Sequence, residues 1–266
     1  MKIEYEYTET SKRRYTGVSV EVEECRIHLL GAVKDNLLDT DETKHTLEML
    51  RTLGADTGFR ESEELYADIR ALEDQKVDVQ TFRIGEAFAE VVLAQEFGCR
   101  FHWNENRDAR NPKGNKTGAD LVGFIEMDEE VRFLFGEVKT SSETATRPPQ
   151  VMTSRGGIES QLKDLHTNKN KRSVLIQYLS SKSRHYPINH PFRSDFDKSV
   201  RSYYSIGKGF QLAGVLIRDV TPDESDVSNS YHRLKEHILE PNGLKLLALY
   251  LPFRKEEWLK IMNGAQ

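Results

Sequence analysis

The chain of 266 residues carries 38 Lys and Arg against 43 Asp and Glu, and its 37 % apolar residues include 12 Phe and 10 Tyr. That apolar supply excludes wholesale disorder and sustains one large or two smaller packed domains. No apolar run approaches the roughly 20 residues needed to cross a bilayer, "MKIEYEYTET" lacks the apolar core of a signal peptide, and Cys25 and Cys99 are too few for a disulfide or zinc framework; a reducing cytoplasm is the expected compartment, with no membrane partner.

The net charge of −5 hides an asymmetry. Residues 1–80 hold 11 Lys or Arg against 19 Asp or Glu, whereas residues 147–210 hold 12 against 4. The basic stretch is interleaved with Tyr178, Tyr186, Phe192, Phe196, Tyr203, Tyr204 and Phe210. Cations with aromatics suit phosphates and bases, although basic stretches are often only solvated helix faces.

Alternation of Val18, Val20 and Val22 predicts a strand, followed by helices around "HTLEMLRTL" and "ESEELYADIRALEDQK". From Arg83 the texture changes: "RIGEAFAEVVLAQEFG" spaces Ile84, Phe88, Val91 and Val92 as an amphipathic helix that Gly98 stops. The aromatic "CRFHWN" reads as a short strand and "ENRDARNPKGNKTGA" as a loop. "DLVGFIEM" and "VRFLFGEVK" read as two strands about an acidic turn at Asp128 and Glu129. "GGIESQLKDLHTNKN" is predicted helical and "SVLIQYLS" a buried strand; "QLAGVLIRDV" and "LKLLALYLP" add strands and "RKEEWLKIM" a last helix. The expected fold is α/β, a central mixed sheet flanked by helices. The domain reading is an acidic α+β region over 1–80, suited to partner docking or regulation, followed by one domain over 81–266.

A turn centred between Asp128 and Glu129 sets Val131 opposite Glu126, Phe135 opposite Val122 and Glu137 opposite Asp120. Opposed residues have Cβ atoms about 4.5 to 5.5 Å apart, and Lys139 projects from the same face as Glu137. Two facing carboxylates repel, and a divalent cation reverses that sign; Mg²⁺ favours one or two carboxylates plus waters and phosphate oxygens. Asp-Glu is not one of the Gly-containing pairs favoured in two-residue turns, and a four-residue loop, Met127 to Glu130, preserves the same pairing.

A helix with an acid, a strand opening on Asp, a strand ending in acid-x-Lys, then a helix and a strand resembles the PD-(D/E)XK nuclease superfamily, which includes the restriction-endonuclease-like enzymes. The resemblance covers about residues 83–180 and implies an α-β-β-β-α-β core. Asp120, Glu137 and Lys139 match the family motif; Glu86 matches an acid that some members use as a further metal ligand, and Gln161 a polar helix residue near the scissile phosphate. Ala119 stands where the naming proline would be, a common departure, and Leu165 replaces the Tyr of exonuclease-like members, which weakens an exonuclease assignment. The resemblance implies Mg²⁺- or Mn²⁺-dependent hydrolysis of DNA phosphodiester bonds. Asp120, Glu137 and the Val138 carbonyl would be ligands, Glu86 a further one, and Lys139 would steady the attacking water or developing charge. Size, the N-terminal extension and the "GEVK" strand are similar to the nuclease subunits of Hachiman-type antiphage defence systems, which implies a helicase partner. The alternative is an inactive nuclease-like module that grips nucleic acid without cutting.

Plainer readings stand beside these. An acid-x-Lys at a strand end is usually an exposed ion pair worth under about 1 kcal/mol, a Glu in a first helical turn serves the helix dipole, and Gln161 serves as a solvated helix residue. "KGNKTG" lacks the glycine positions of a phosphate loop. His185 and His190 lack partners spaced for zinc and read as loop histidines. The loop with Arg107, Arg110, Lys113 and Lys116 is either a strand clamp or a surface connection.

Overall fold

The computed structural model describes residues 1–55, 60–108 and 118–264 of the chain; Arg110, Lys113 and Lys116 lie outside the described residues. It is an α/β protein whose helices flank a mixed seven-stranded sheet of order β1-β2-β7-β6-β5-β4-β3. The strands are β1 (Lys2–Thr10), β2 (Arg13–Ser19), β3 (Cys99–Arg100), β4 (Leu121–Met127), β5 (Glu130–Ser141), β6 (Gln211–Arg218) and β7 (Gly243–Tyr250). The β2, β7, β6 and β5 strands run parallel, while β1, β4 and β3 pair antiparallel at the two edges. Because β2 pairs with β7 from Arg13↔Leu244 to Ser19↔Tyr250, the sheet crosses the boundary drawn at residue 80.

The acidic N-terminal region also supplies α1 (Val22–Leu30), α2 (Ala32–Leu38), α3 (Thr40–Ala55) and α4 (Glu63–Glu73). The predicted strand therefore stops at Ser19: Val18 and Val20 are buried, whereas Val22 opens α1 and is exposed. Next, α5 (Thr81–Glu96) buries Ile84, Phe88, Val91 and Val92 at helical spacing, and Gly98 takes a φ of 67°, a left-handed value suited to a helix stop. The strand expected over "CRFHWN" is confined to the two residues of β3.

One predicted strand is a helix. "SVLIQYLS" lies inside α8 (Lys169–Ser183), where Arg172, Leu175, Ile176, Leu179 and Ser183 are buried at helical spacing and Val174 is exposed. A short apolar run does not distinguish strand from buried helix. Here the Asn168 side chain caps the helix by accepting from Lys171 N at 3.0 Å, which favours the helix. Around it lie α6 (Gln150–Thr153), α7 (Ile158–Thr167) and α9 (Pro191–Tyr204), so the next strand in the chain is β6; α10 (Ser228–Lys235) and α11 (Lys255–Met262) complete the order.

Side-chain alternation gives the sheet two covered faces. Leu121, Ile125, Leu134 and Val138 pack with Phe88 of α5 and Trp258 of α11. Val122, Phe124, Phe133 and Phe135 pack on the other side with Ile158 and Leu162 of α7, Leu175 of α8 and Phe192 of α9. The β4–β5 hairpin has the expected register, with Val122↔Phe135 and Glu126↔Val131. Its turn is the two-residue form: Met127 pairs with Glu130, and Asp128 and Glu129 have φ of 51° and 62°, the positive sign a type I′ turn requires at both central positions.

The glycine of "FLFGEVK" is explained by close approach of β6. A Cβ on Gly136 would lie 2.2 Å from the Ala213 carbonyl oxygen and 3.1 Å from Leu121 Cδ1. Backbone cannot swing aside as a side chain can, so Gly136→Ala is expected to destabilise the fold by about 1 to 3 kcal/mol. A denaturation midpoint equal to that of the parent would contradict this packing.

Candidate active site

Pairing of β4 with β5 ends at Leu121↔Gly136. Beyond it, the Val138 N–H donates to Asp120 Oδ2 at 3.0 Å, so the aspartate side chain closes the end of the hairpin. Glu137 shares the face of Phe133 and Phe135, and the last aromatic of this row is followed by a carboxylate whose side chain is 5 % exposed. Lys139 bridges the pair, its Nζ lying 3.1 Å from Glu137 Oε2 and 3.4 Å from Asp120 Oδ2. The opposition of Asp120 and Glu137 expected from the register is thus present, and Lys139 stands with them.

Burial pushes the Glu137 carboxyl up from its ordinary value of 4.5 to about 8; the Asp120 charge and a hydrogen bond shared with Asp120 add to the rise, and Lys139 opposes it. Burial works against the charge of Lys139, but the two carboxylates outweigh it and hold the amine above its ordinary value. The trio therefore keeps an extra proton at neutral pH, as expected where two acids face one base in a place water barely reaches.

The other sequence-predicted residues lie on the elements around this pair. Glu86 lies on α5, which crosses the opposite face of the sheet at Thr140, where a Cβ on Gly85 would meet Thr140 Oγ1; the Glu86 carboxylate receives Arg83 Nη1 at 2.9 Å. Among the described residues no three His, Cys, Asp or Glu side chains form a group able to hold a metal ion. Gln161 lies half-buried on α7, which covers the same face as Glu137. Ile158 and Leu162 of that helix lie where a Cβ on Gly214 would fall, and Gly214 is the β6 partner of Glu137. The Val138 side chain is buried in the opposite core.

Asp120 and Glu137 offer two carboxylates, and Mg²⁺ commonly completes such a donor set with water and phosphate oxygens. Lys139 already places one positive charge between these acids, at Oδ2 of Asp120 and Oε2 of Glu137.

Sequence reasoning did not find a second polar cluster at the β3 edge. His102 Nε2 lies 2.7 Å from Asp195 Oδ2, Arg100 Nε is 3.1 Å from the same oxygen, and Asp195 is buried. The signal was the polar pair Arg100 and His102 inside an otherwise aromatic run. Nearby, Asp108 accepts from Trp103 Nε1 at 3.0 Å and Tyr178 OH at 2.7 Å and pairs with Lys182, which fastens α8 to the start of the long loop. Arg107 pairs with Asp39 at 2.6 Å and is tied to the acidic region. His190 Nδ1 accepts from Phe192 N at 3.2 Å as the cap of α9, and the His185 ring stacks near Trp103, so both serve structure. No helix is long and apolar enough to cross a membrane among the described residues. Comparison with protein-family models finds no match to this chain, and comparison with curated proteins finds none either.

Proposed function

We propose that this protein is a metal-dependent nuclease that hydrolyses phosphodiester bonds of DNA, in the manner of the PD-(D/E)XK superfamily. The observation that carries the reading is the placement of Asp120 and Glu137 on one face with the Lys139 amine between them. In chain order α5 is followed by β3, β4 and β5, then by the four helices α6 to α9, and then by β6.

Asp120 and Glu137 would hold Mg²⁺ or Mn²⁺, which when bound polarises the phosphate and lowers the pKa of a coordinated water. Glu137 must give up its proton to serve as a ligand. Lys139 is 29 % exposed at its side chain, so its ammonium reaches a substrate while remaining anchored to both acids. As a compact cation it orients an attacking water and balances charge developing on the phosphoryl oxygens. Gln161, on the helix over the same face, is available to position the phosphate. A helicase-type partner docked on the acidic N-terminal region belongs to the same proposal, in keeping with the likeness to Hachiman-type nuclease subunits.

The test is cleavage of plasmid and linear DNA with Mg²⁺ or Mn²⁺ by the parent and by Lys139→Ala. Cleavage by the parent that Lys139→Ala loses supports the reading; a parent inert on every nucleic acid, alone and with its partner, leaves the non-cutting module in its place.

A further inference from the structure

The basic segment builds a second feature away from the carboxylate pair. A groove of about 560 Å³ is lined by Lys169, Arg172, Tyr203, Tyr204, Phe210 and Asn242, among others. That volume lies within the range of small-ligand sites. Three lysines of this segment are already spent on internal pairs: Lys171 with Asp164, Lys182 with Asp108, and Lys208 with Glu130. Arg172 is different. It is 5 % exposed, and its hydrogen-bond partners are the carbonyls of Leu165 and His166 and the hydroxyl of Tyr203, all neutral. Its guanidinium also lies 4.6 Å from the centre of the Phe210 ring. A buried guanidinium whose partners are neutral keeps its net positive charge, and Arg172 lines the groove. Lys169 is exposed in the first turn of α8, whose amide dipoles add to the same sign. At the other wall Tyr204 is 71 % exposed, a large aromatic surface held at the end of α9 by Tyr203, whose ring meets it edge-on at 5.0 Å.

An uncompensated cation beside an exposed aromatic matches the two halves of a nucleotide. We propose that this groove is a separate nucleotide-binding subsite, which takes one nucleotide of a single-stranded nucleic acid with its base stacked on Tyr204 and its phosphate drawn to Arg172 and Lys169. The position suits a strand. Phe210 immediately precedes β6, and Gly214, the partner of Glu137, lies four residues further along. At about 3.3 Å per residue the two places are roughly 13 Å apart, on the order of four stacked nucleotides. Helix α7 runs between them, with Ile158 against Gly214 and the His166 ring 6.3 Å from that of Phe210. The subsite goes beyond the proposed hydrolysis and stands whether or not the carboxylate pair cuts.

The experiment is fluorescence anisotropy of a short fluorescein-labelled oligodeoxythymidylate with the full chain in EDTA, where no cleavage occurs and a failure of the nuclease reading has no effect. Tyr204→Ala is expected to weaken binding about tenfold, the scale of one lost base stack, and Lys169→Glu by a similar factor. Tyr204→Phe, which keeps the ring, is expected to bind as the parent does. Thymidine monophosphate is expected to displace the oligonucleotide only at far higher concentration. Parental affinity in both Tyr204→Ala and Lys169→Glu would overturn the subsite, as would equal weakening by Tyr204→Phe and Tyr204→Ala. Monophosphate binding as tightly as the oligonucleotide would overturn its assignment to a strand.

Discussion

Glu137→Gln is expected to lower metal-dependent DNA cleavage by about 10²- to 10³-fold, the scale seen when one preorganised electrostatic group is removed from an active site, with Lys139→Ala comparable. The fold should survive both changes. Glu137 lies at the end of a row of buried aromatics, and Gln fills the same volume without a charge. In metal-free buffer the change is expected to stabilise. The native carboxyl keeps its proton up to about pH 8, whereas the unfolded chain releases it near the ordinary value of 4.5. Between those values the native state binds more protons than the unfolded state, so parental stability falls as pH rises through that window. Gln has no proton to lose, and thermal melts in EDTA at pH 8 and above should place Glu137→Gln above the parent. A variant that is less stable than the parent there, or that cuts DNA at the parental rate, is incompatible with this site.

Asp226→Ala is expected to cost about 3 to 5 kcal/mol, a large share of the roughly 5 to 15 kcal/mol that holds a domain together. Asp226 is wholly buried and faces Arg218, also wholly buried, at 3.2 Å; Arg147 Nη1 lies 3.0 Å from it, and the Tyr250 hydroxyl donates to it at 2.9 Å. Arg218 in turn donates to the carbonyls of Ser141 at 2.9 Å and Glu143 at 2.6 Å, at the end of the strand that carries Glu137 and Lys139. Removing the aspartate leaves a guanidinium without a counter-charge where water cannot enter. The melting midpoint should fall by roughly 5 to 10 °C. A single Asp226→Ala variant within about 1 kcal/mol of the parent would contradict the network.

The parts of this protein written locally were legible. The β4–β5 register followed from centring the turn between Asp128 and Glu129, and alternation agreed with it by placing Val122, Phe124, Phe133 and Phe135 on one core face. That pattern outweighed the turn chemistry: Asp128 and Glu129 both accept a left-handed backbone without a glycine. "SVLIQYLS" was misread because four successive apolar or neutral residues fit either period, and the deciding features were the Asn168 cap and the burial of Arg172 one turn before Leu175 and Ile176. Strand β1 was not read although Ile3, Tyr5 and Tyr7 alternate with Glu4, Glu6 and Thr8; it is an edge strand with no fully buried face. The candidate site was legible where it depends on one hairpin, in Asp120, Glu137 and Lys139. How the helices dock was not legible: nothing in the sequence sets α5, which carries Glu86, over the face opposite the row that ends in Glu137. Long-range pairs such as His102 with Asp195, or Arg172 with the Leu165 and His166 carbonyls, arise only when α8 and α9 fold over the sheet.

The central claim is that Asp120 and Glu137 act together on one divalent ion, and calorimetric titration of Mn²⁺ into the metal-free full chain tests it most directly. The expected result is one binding event in the parent that releases a proton below about pH 8, strengthens by up to about tenfold per pH unit towards that value, and is lost in Asp120→Asn and in Glu137→Gln. Binding retained unchanged in both variants, or no binding by a folded parent at pH 8, would contradict it.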